Sequence, residues 1–247
     1  MGGLETISYD KIQKILYGTS EAGAVTVIDY ANGPEDAPQT DIVLTIEGTL
    51  THTSVCPERG LLFVVSLDDP NPGHVFVYKA ATRAEDGTIT PPSLITKVEV
   101  GYGPDMAQPN SACTILAVAN EGEGEYDDIT GLTNPPGSVS LINVENLDNI
   151  TVTNVLFPWT DEELAAKDVH LPLSKNALEY WNSHSSIADE VNFDNAIATY
   201  TSADGLEPEW ASWSANDEYV LVNLQENSAL VKVNAATGVA EDIYRYV

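Results

Sequence analysis

The chain has 247 residues, and 43% of them are hydrophobic, so it is long enough to bury a sizeable core and its composition argues against disorder. Thirty-eight acidic against ten basic residues give a net charge of −28. That balance disfavours nucleic acid and anionic lipid as partners and favours metal cations. No apolar run approaches about 18 residues, so no membrane span is expected. The opening MGGLETISYDKIQ has no apolar core, so no signal peptide is expected in this chain.

Short strand patterns, separated by Gly, Pro, Asn and Asp turns, recur in four sets of four. In chain order the sets are LETISYD, KILYGTS, AVTVIDYA and DIVLTIEG; THTSVCP, LLFVVSLD, HVFVYKA and LITKVEVG; DMAQPN, TILAVANE, SVSLINV and ITVTNVLF; and PEWASWS, YVLVNLQE, ALVKVNA and VAEDIYRY. Tandem four-stranded units are typical of a β-propeller, in which each blade is one antiparallel sheet. The sequence thus predicts an all-β domain over residues 1–247 with about four blades. A sandwich or an irregular barrel is the structural alternative.

Residues 157–205 break the strand pattern. TDEELAAK (160–167) predicts a short helix in which Thr160 is the N-cap and Glu163 reaches back to it, a capping box. SKNALEYWN (174–182) is a second helical candidate. The segment is therefore predicted to be a partly helical insertion between blades three and four, which either lines a site or decorates one end of the sheets.

In the third and fourth sets of strands, acidic and amide side chains occur at two places, before the first strand and after the second strand. A blade is a meander, so these two loops lie at the same end of the sheet, and the clusters of successive blades meet on one rim. The predicted metal ligands are Asp105, Glu121, Glu123, Glu207, Glu209 and Glu226, and the predicted ligand-binding amides are Asn120, Gln225 and Asn227. Asp68 and Asp69 in blade two and Glu21 in blade one occupy the equivalent loop.

Oxygen ligands without a soft ligand favour a hard ion, so the rim predicts calcium as cofactor. Like charges at close range either raise one another's pKa or require a cation. The alternative is that each of these side chains caps a turn, satisfies backbone groups or faces water. The paired placement in two blades is the observation that favours a site.

Other chemistry-bearing residues give weaker signals. Cys56 and Cys113 fit no metal spacing and are either two buried thiols or one disulfide. Four histidines (His52, His74, His170 and His184) are too scattered for a triad or a zinc site. The sequon at Asn149 predicts an exposed side chain, available for glycosylation if the protein is secreted by a eukaryote.

Two stretches of the chain, GPDM…LAVANEGEGEYDD…GSVSLINV and LEPEWASWSANDEYVLVNLQENSALVKVNAATG, resemble the choice-of-anchor I family. These are secreted β-propeller proteins related to the mesenchyme-specific cell-surface glycoprotein of skeleton-forming echinoderm cells. The family's Pro-Asp-Met turn, Ala-Asn-Glu-Gly-Glu loop, Gly-Ser-(Val/Ile)-Ser strand, Leu-Glu-Pro-Glu and Leu-Gln-Glu-Asn all occur here in order. One departure is QPNSACT, where the family usually has a Pro-Asp-Gly turn. The family's propeller is also about twice as long and is generally read as seven-bladed, so four blades suggest part of a propeller.

The resemblance implies an extracellular or cell-surface protein associated with calcium-rich or mineralising settings, whose partners are metal cations and matrix or surface glycans and proteins. It supplies no reaction, and no nucleophile elbow, phosphate loop, HExxH or CxxC occurs. The alternative is a metal-dependent phosphoester hydrolase resembling phytase or phosphatase propellers. That alternative is weakened because the motif loops contain no Lys or Arg to hold a phosphoester.

Overall fold

Most of the chain forms four four-stranded antiparallel sheets in the computed structural model, which describes residues 4–33, 42–127, 131–184 and 193–246. Sheet one contains β1 (Ile7–Asp10), β2 (Ile15–Ser20), β3 (Ala24–Asp29) and β4 (Ile42–Thr45). Sheet two contains β5 (Thr49–Cys56), β6 (Leu61–Asp68), β7 (Asn71–Lys79) and β10 (Ser93–Glu99), and the short strands β8 (Thr82–Arg83) and β9 (Ile89–Thr90) pair with each other.

The second half of the chain repeats this meander. Sheet three contains β11 (Pro104–Pro109), β12 (Ile115–Asn120), β15 (Ser138–Asn143) and β16 (Thr151–Leu156), and its second loop carries the pair β13 (Glu125–Asp127) and β14 (Gly131–Thr133). Sheet four contains β17 (Pro208–Trp213), β18 (Tyr219–Leu224), β19 (Ala229–Asn234) and β20 (Val239–Arg245). All sixteen strands of the four sheets coincide with the sixteen predicted strand patterns, so the all-β prediction is confirmed.

The hydrophobic core lies between the sheets. Strand alternation explains this: in β18, Val220 and Val222 are fully buried whereas Leu221 between them is exposed, because successive side chains point to opposite faces. Three apolar clusters fill the spaces between sheets one and two, two and three, and three and four. The first strand of each sheet packs against the first strand of the next, β1 on β5, β5 on β11 and β11 on β17, an arrangement like that of propeller blades.

Covalent and polar ties join neighbouring sheets at the end where β5 and β11 finish. Cys56 and Cys113 form a disulfide between sheets two and three, with their Cα atoms 6.2 Å apart, which decides between the two states left open by the sequence. Arg59 donates to the carbonyl oxygens of Cys113 and Val144 at 2.7 and 2.9 Å across the same interface. Asp217 accepts from the backbone and hydroxyl of Ser111, which ties sheet three to sheet four.

The segment between β16 and β17 contains helices α1 (Asp161–Ala166), α2 (Lys175–Asn182) and α3 (Asp194–Thr199) and a 3₁₀ turn (Ser202–Gly205). Both predicted helices are confirmed, and the Thr160–Glu163 capping box forms at the start of α1. Helix α3 was not predicted, and residues 185–192 of the predicted insertion lie outside the described residues. None of the described helices is long and apolar enough to cross a membrane.

Candidate functional site

The two acidic loops of sheet three are hydrogen-bonded to each other. Glu121 N donates to Gly103 O at 2.7 Å, and Gly122 N donates to Tyr102 O at 3.1 Å. Gly122 has a φ of +66°, and a Cβ there would lie 2.7 Å from Pro135 O, so only glycine fits this turn. The turn before β11 and the loop after β12 therefore form one unit, as the meander argument predicts.

A β-bulge presents the carboxylate at the start of each first strand. The register shifts between Pro104 and Met106 in β11 and between Pro208 and Trp210 in β17, so Asp105 and Glu209 are the extra residues. An extra residue bends the strand and redirects a side chain. The same shift occurs in β5 between Leu50 and His52, so that Thr51 is the extra residue there. The bulge re-aims equivalent positions of sheets two, three and four toward one end.

The predicted carboxylates converge on this end. Glu121, Glu209 and Glu226 each place a ligand atom within 4.8 Å of the others, although they come from two sheets. Asp105, Glu123 and Glu207 lie close enough to act electrostatically on this trio. The three-residue group is named the carboxylate cluster below. All six predicted metal ligands thus lie in one neighbourhood.

Burial and mutual repulsion make ionisation of this neighbourhood unfavourable. Burial, and then the charges of Glu123, Glu209, Asp105 and Glu207, raise the pKa of Glu121 to about 8. Burial, followed by Glu226 and Glu123, raises the pKa of Glu207 to about 7. The pKa of Glu209 is raised by burial and then by Glu226. Burial alone raises the pKa of Asp105. Protons or a cation would relieve this cost.

The predicted amide ligands are engaged within the protein. Asn227 is fully buried; its Oδ1 accepts from Glu207 N at 3.0 Å, and its Nδ2 donates to the carbonyl oxygens of His170 and Gly205. Asn120 is also fully buried, accepts from Gly101 N and donates to the hydroxyls of Ser138 and Ser140. Both amides therefore brace the loops that carry the carboxylates, while Gln225 is exposed. Ligand contact by these amides stays a prediction.

A cavity of about 450 Å³ adjoins the cluster through Glu123. Its other described lining residues are Leu67, Asp69, Pro70, Tyr102, Gly103, Thr133, Asn134, Pro135, Pro136, Thr199, Thr201 and Asp204. Asp69, which follows β6 of sheet two, lines this cavity. Asp204 accepts from the hydroxyl and backbone of Thr201, and its carbonyl accepts from Asn134 Nδ2. None of these described lining residues is Lys or Arg.

Sequence patterns alone missed Tyr102, Asn134 and Asp204 as cavity residues, because they come from three separate loops and share no spacing. The bulges did leave a signal: Leu-Thr-His, Pro-Asp-Met and Pro-Glu-Trp align at residues 50–52, 104–106 and 208–210. Glu21 is exposed in the β2–β3 turn and is not a member of the carboxylate cluster.

The four histidines do not converge. His170 Nδ1 lies 3.0 Å from Glu226 O, and His184 Nδ1 lies 2.7 Å from Tyr180 O. His52 is buried, which lowers its pKa to about 4, and its ring meets Trp210 edge-on with 5.6 Å between centroids. Burial is also the main cause that lowers the pKa of His74. His52 packs against Trp210 and belongs to none of the groups of metal-ligating side chains found among the described residues.

Solved structures with a similar fold span very different proteins. One chain of a nidogen/laminin complex aligns with the whole of the present chain, at 10% identity and a TM-score of 0.52. The alignment covers 65% of the nidogen/laminin chain. A candidate 6-phosphogluconolactonase from Bacteroides uniformis ATCC 8492 aligns with 97% of the present chain, at 12% identity and a TM-score of 0.57. The alignment covers 53% of the lactonase chain. Hsv2 of Kluyvelomyces marxianus aligns with the whole of the present chain, at 10% identity and a TM-score of 0.51, and the alignment covers 54% of Hsv2.

These likenesses show the fold alone, and the chain spans between half and two thirds of the length of those structures. No curated protein sequence matches the chain. The choice-of-anchor I domain matches residues 5–246, which include both acidic motif pairs and all four sheets. The chain therefore belongs to the choice-of-anchor I domain family.

Proposed function

We propose that this chain is a secreted or cell-surface binding protein that holds calcium at the carboxylate cluster. The observation that carries the proposal is the approach of Glu121, Glu209 and Glu226, each with a ligand atom within 4.8 Å of the others. Three carboxylates at that separation repel one another when they are ionised, and a divalent cation between them removes the repulsion. Asp105 and Glu207 add negative charge beside them.

The donor set selects the ion. Carboxylates without a Cys or His ligand favour a hard cation over zinc or copper. Calcium accepts six to eight oxygen ligands in irregular geometry, whereas magnesium demands a near-ideal octahedron at shorter distances. Ligands carried by a bulged strand and two loops fit the less demanding ion. Carboxylates, water and loop carbonyl groups would together complete its coordination.

We infer a cell-surface location from the family membership, and we propose the partners, the biological setting and the wider kinship of the chain together with it. Choice-of-anchor domains are by name associated with attachment at the cell surface. The proposal includes matrix or surface glycans and proteins as partners, a role in mineralising settings, and kinship with the echinoderm cell-surface glycoprotein. Asn149 is exposed in the β15–β16 connection, which is compatible with glycosylation in a eukaryotic host. We also propose that residues 1–247 form one domain within a seven-bladed propeller, with 157–205 inserted between blades three and four.

The phosphoester-hydrolase alternative has no observation in its favour. Metal-dependent phosphoryl chemistry needs positive groups beside the transferred phosphate as well as the metal. All ten Lys and Arg residues lie in the part of the chain that the structure describes, and none of them lines the cavity beside the cluster. Binding of a cation is the function that this charge distribution supports.

Calcium should raise the melting temperature of the wild-type chain at constant ionic strength, and chelator should lower it. A ligand that binds only the folded state adds about 2.7 kcal/mol at a hundredfold excess over its Kd. For a domain of this size that corresponds to roughly 5–10 °C. The double substitution Glu209→Gln with Glu226→Gln should abolish the response, because it removes two of the three clustered carboxylates. Differential scanning calorimetry with calcium or chelator measures it.

The matched control is Glu85→Gln with Glu218→Gln. It removes the same charge from two exposed turns outside the cluster and should keep the calcium response. Equal melting temperatures of the wild type in calcium and in chelator would contradict the proposal. A response retained by the Glu209/Glu226 variant would place the ion elsewhere.

A further inference from the structure

The cavity beside the carboxylate cluster is built from three separate parts of this chain. Sheet two contributes the turn after β6, sheet three contributes the loops around β11 and β12 and the segment after β14, and the third part is the segment that leads into β17. Its volume of about 450 Å³ lies within the roughly 300–1,000 Å³ that small-molecule sites occupy. The cavity is therefore large enough for an organic ligand.

Hydrogen bonds hold two of these parts together. Asn134 Nδ2 donates to Asp204 O, which joins the segment after β14 to the segment before β17. Asp204 in turn accepts from Thr201 N at 2.7 Å, and Gly122 N donates to Tyr102 O at 3.1 Å on the other side. These bonds fix much of the wall, so the cavity is formed before a ligand enters, as is usual for binding sites.

The carboxylates of the cavity have no basic partner. Asp69, Glu123 and Asp204 line it, and none of them belongs to an ion pair among the described residues. All ten Lys and Arg residues are described, and none lines the cavity. Burial and then the charge of Asp68 raise the pKa of Asp69, a cost that a cation would relieve.

An amide in the wall lacks a hydrogen-bond donor as well. Asn134 is only 8% exposed, and its Oδ1 has no hydrogen-bond partner among the described residues. The amide cannot turn over without losing the bond from Nδ2 to Asp204 O. The wall therefore presents an unsatisfied acceptor in addition to its carboxylates, and a ligand rich in donors complements both. An ammonium group has three donors and no acceptor.

The rest of the wall is apolar, which separates an organic cation from a metal ion. It consists largely of aliphatic, proline and aromatic side chains, namely Leu67, Pro70, Pro135, Pro136 and Tyr102. A calcium ion needs six to eight oxygen ligands and gains nothing from such side chains. An alkyl chain is instead removed from water against them, and a tyrosine ring attracts an ammonium group through its π face.

We propose that this cavity binds an alkylammonium ligand, whose charge is met by Asp69 and Glu123 and whose methylene chain lies against the apolar wall. The ligand is either a free amine or the lysine side chain of a polypeptide, since both carry the same group. The site goes beyond the proposed calcium function, because the ion is assigned to Glu121, Glu209 and Glu226.

Isothermal titration calorimetry with the diamine cadaverine tests the proposal. The neutral control is pentanediol of the same chain length, and about 0.15 M salt with chelator screens long-range attraction and removes calcium. Alkylamines titrate near pH 10.4, so cadaverine is charged at about pH 7. The wild type should bind cadaverine saturably, one molecule per chain, and should not bind pentanediol at the same concentrations.

Two matched variants locate the binding. Asp69→Asn with Glu123→Gln should weaken cadaverine binding by at least about tenfold, because hydrogen bonds to charged groups are lost. Both side chains are exposed, so the variant should fold, with far-UV circular dichroism as a check. The control, Glu85→Gln with Glu218→Gln, removes the same charge from exposed turns outside the cavity and should keep the wild-type affinity.

A third variant separates this site from the calcium site. Glu209→Gln with Glu226→Gln should lose the calcium response and keep cadaverine binding, so the two proposals can fail independently. Acetyl-lysine amide then distinguishes the sources: a site for a lysine side chain binds it at least as tightly as cadaverine, and a site for a free amine binds it more weakly.

Four results would overturn the proposal: no saturable binding of cadaverine by the wild type, equal binding of pentanediol, full affinity in the Asp69/Glu123 variant, or loss of binding in the Glu209/Glu226 variant. Equal losses in the Glu85/Glu218 control would also reject it, because they would indicate general attraction to an acidic surface.

Discussion

Proton binding would compete with the proposed cation binding at the carboxylate cluster. Glu121 has a pKa of about 8 without a metal, so near neutral pH the folded chain holds a proton that the unfolded chain has released. A divalent cation would displace that proton by favouring the charged form. Calcium affinity should therefore increase with pH through this range, which links the residue-scale electrostatics to the proposed function.

The same raised pKa predicts how stability depends on pH in chelator. An unfolded Glu titrates near pH 4.3, so between about pH 4.3 and pH 8 the folded state binds more protons through Glu121 than the unfolded state does. Stability should therefore fall as pH rises through this window. Glu121→Gln stays neutral, so it should be more stable than wild type at pH 8 by about 1–2 kcal/mol, since partial exposure reduces the effect.

Urea unfolding at pH 4.5 and pH 8 in chelator measures this difference. The control Glu218→Gln removes an exposed carboxylate outside the cluster and should follow the wild-type curve. If Glu121→Gln gains nothing over wild type at pH 8, Glu121 is ionised in the folded chain and the electrostatic argument for the site fails.

Loops and strand ends are the elements that assemble the site, and the sequence predicts them to different degrees. The approach of the Pro-Asp-Met turn to the Ala-Asn-Glu-Gly-Glu loop follows from the meander alone, and the hydrogen bond from Glu121 to Gly103 confirms it. The patterns at residues 50–52, 104–106 and 208–210 mark equivalent positions, but they do not by themselves show that Asp105 and Glu209 are bulge residues, because a bulge depends on the register with the neighbouring strand. The internal hydrogen bonds of Asn227 depend on where residues 170 and 205 return to sheet four.

The disulfide ties two elements whose distance no sequence pattern fixes. Cys56 ends β5 and Cys113 lies in the β11–β12 turn, 57 residues later. In the chain-entropy treatment a link across that separation contributes about 4 kcal/mol, chiefly by restricting the unfolded chain. Cys56→Ala with Cys113→Ala should therefore lower the free energy of unfolding by about this amount, as measured by guanidinium unfolding.

Reduction of the wild type with a thiol should reproduce the effect of the double substitution. A loss below about 1 kcal/mol in both would mean that the unfolded chain gains little freedom when the link is removed. Sheets two and three would then be held by packing and by the hydrogen bonds of Arg59.

At the scale of the whole molecule, repetition made the fold predictable. Successive side chains of a strand point to opposite faces of a sheet, so an alternating pattern marks each strand. Four sets of four such patterns therefore predict four sheets. The cavity could not be predicted in the same way, because Tyr102, Asn134 and Asp204 reach it from loops of unrelated length. Helix α3 was missed because Asp194–Thr199 is short and has no side-chain N-cap.

The charge of the whole chain leads to a final prediction about salt. Six of the ten basic side chains pair with described carboxylates, and salt weakens such surface pairs, which contribute little to stability. Against them stands the repulsion of a net charge of −28, which compaction increases and salt relieves. The thirty-eight acidic residues far outnumber the ten basic ones, so the melting temperature in chelator should rise with sodium chloride and level off once screening is complete.

Calorimetry from about 0.02 M to 0.5 M sodium chloride tests this, because the Debye length falls from roughly 20 Å to about 4 Å over that range. A falling melting temperature would mean that attractive pairs outweigh repulsion. The Glu209→Gln with Glu226→Gln variant should keep most of the salt response, since twenty-six net negative charges would be left from the original twenty-eight. Its calcium response should be lost. Separate behaviour of the two responses would distinguish a specific cation site from general screening of an acidic surface.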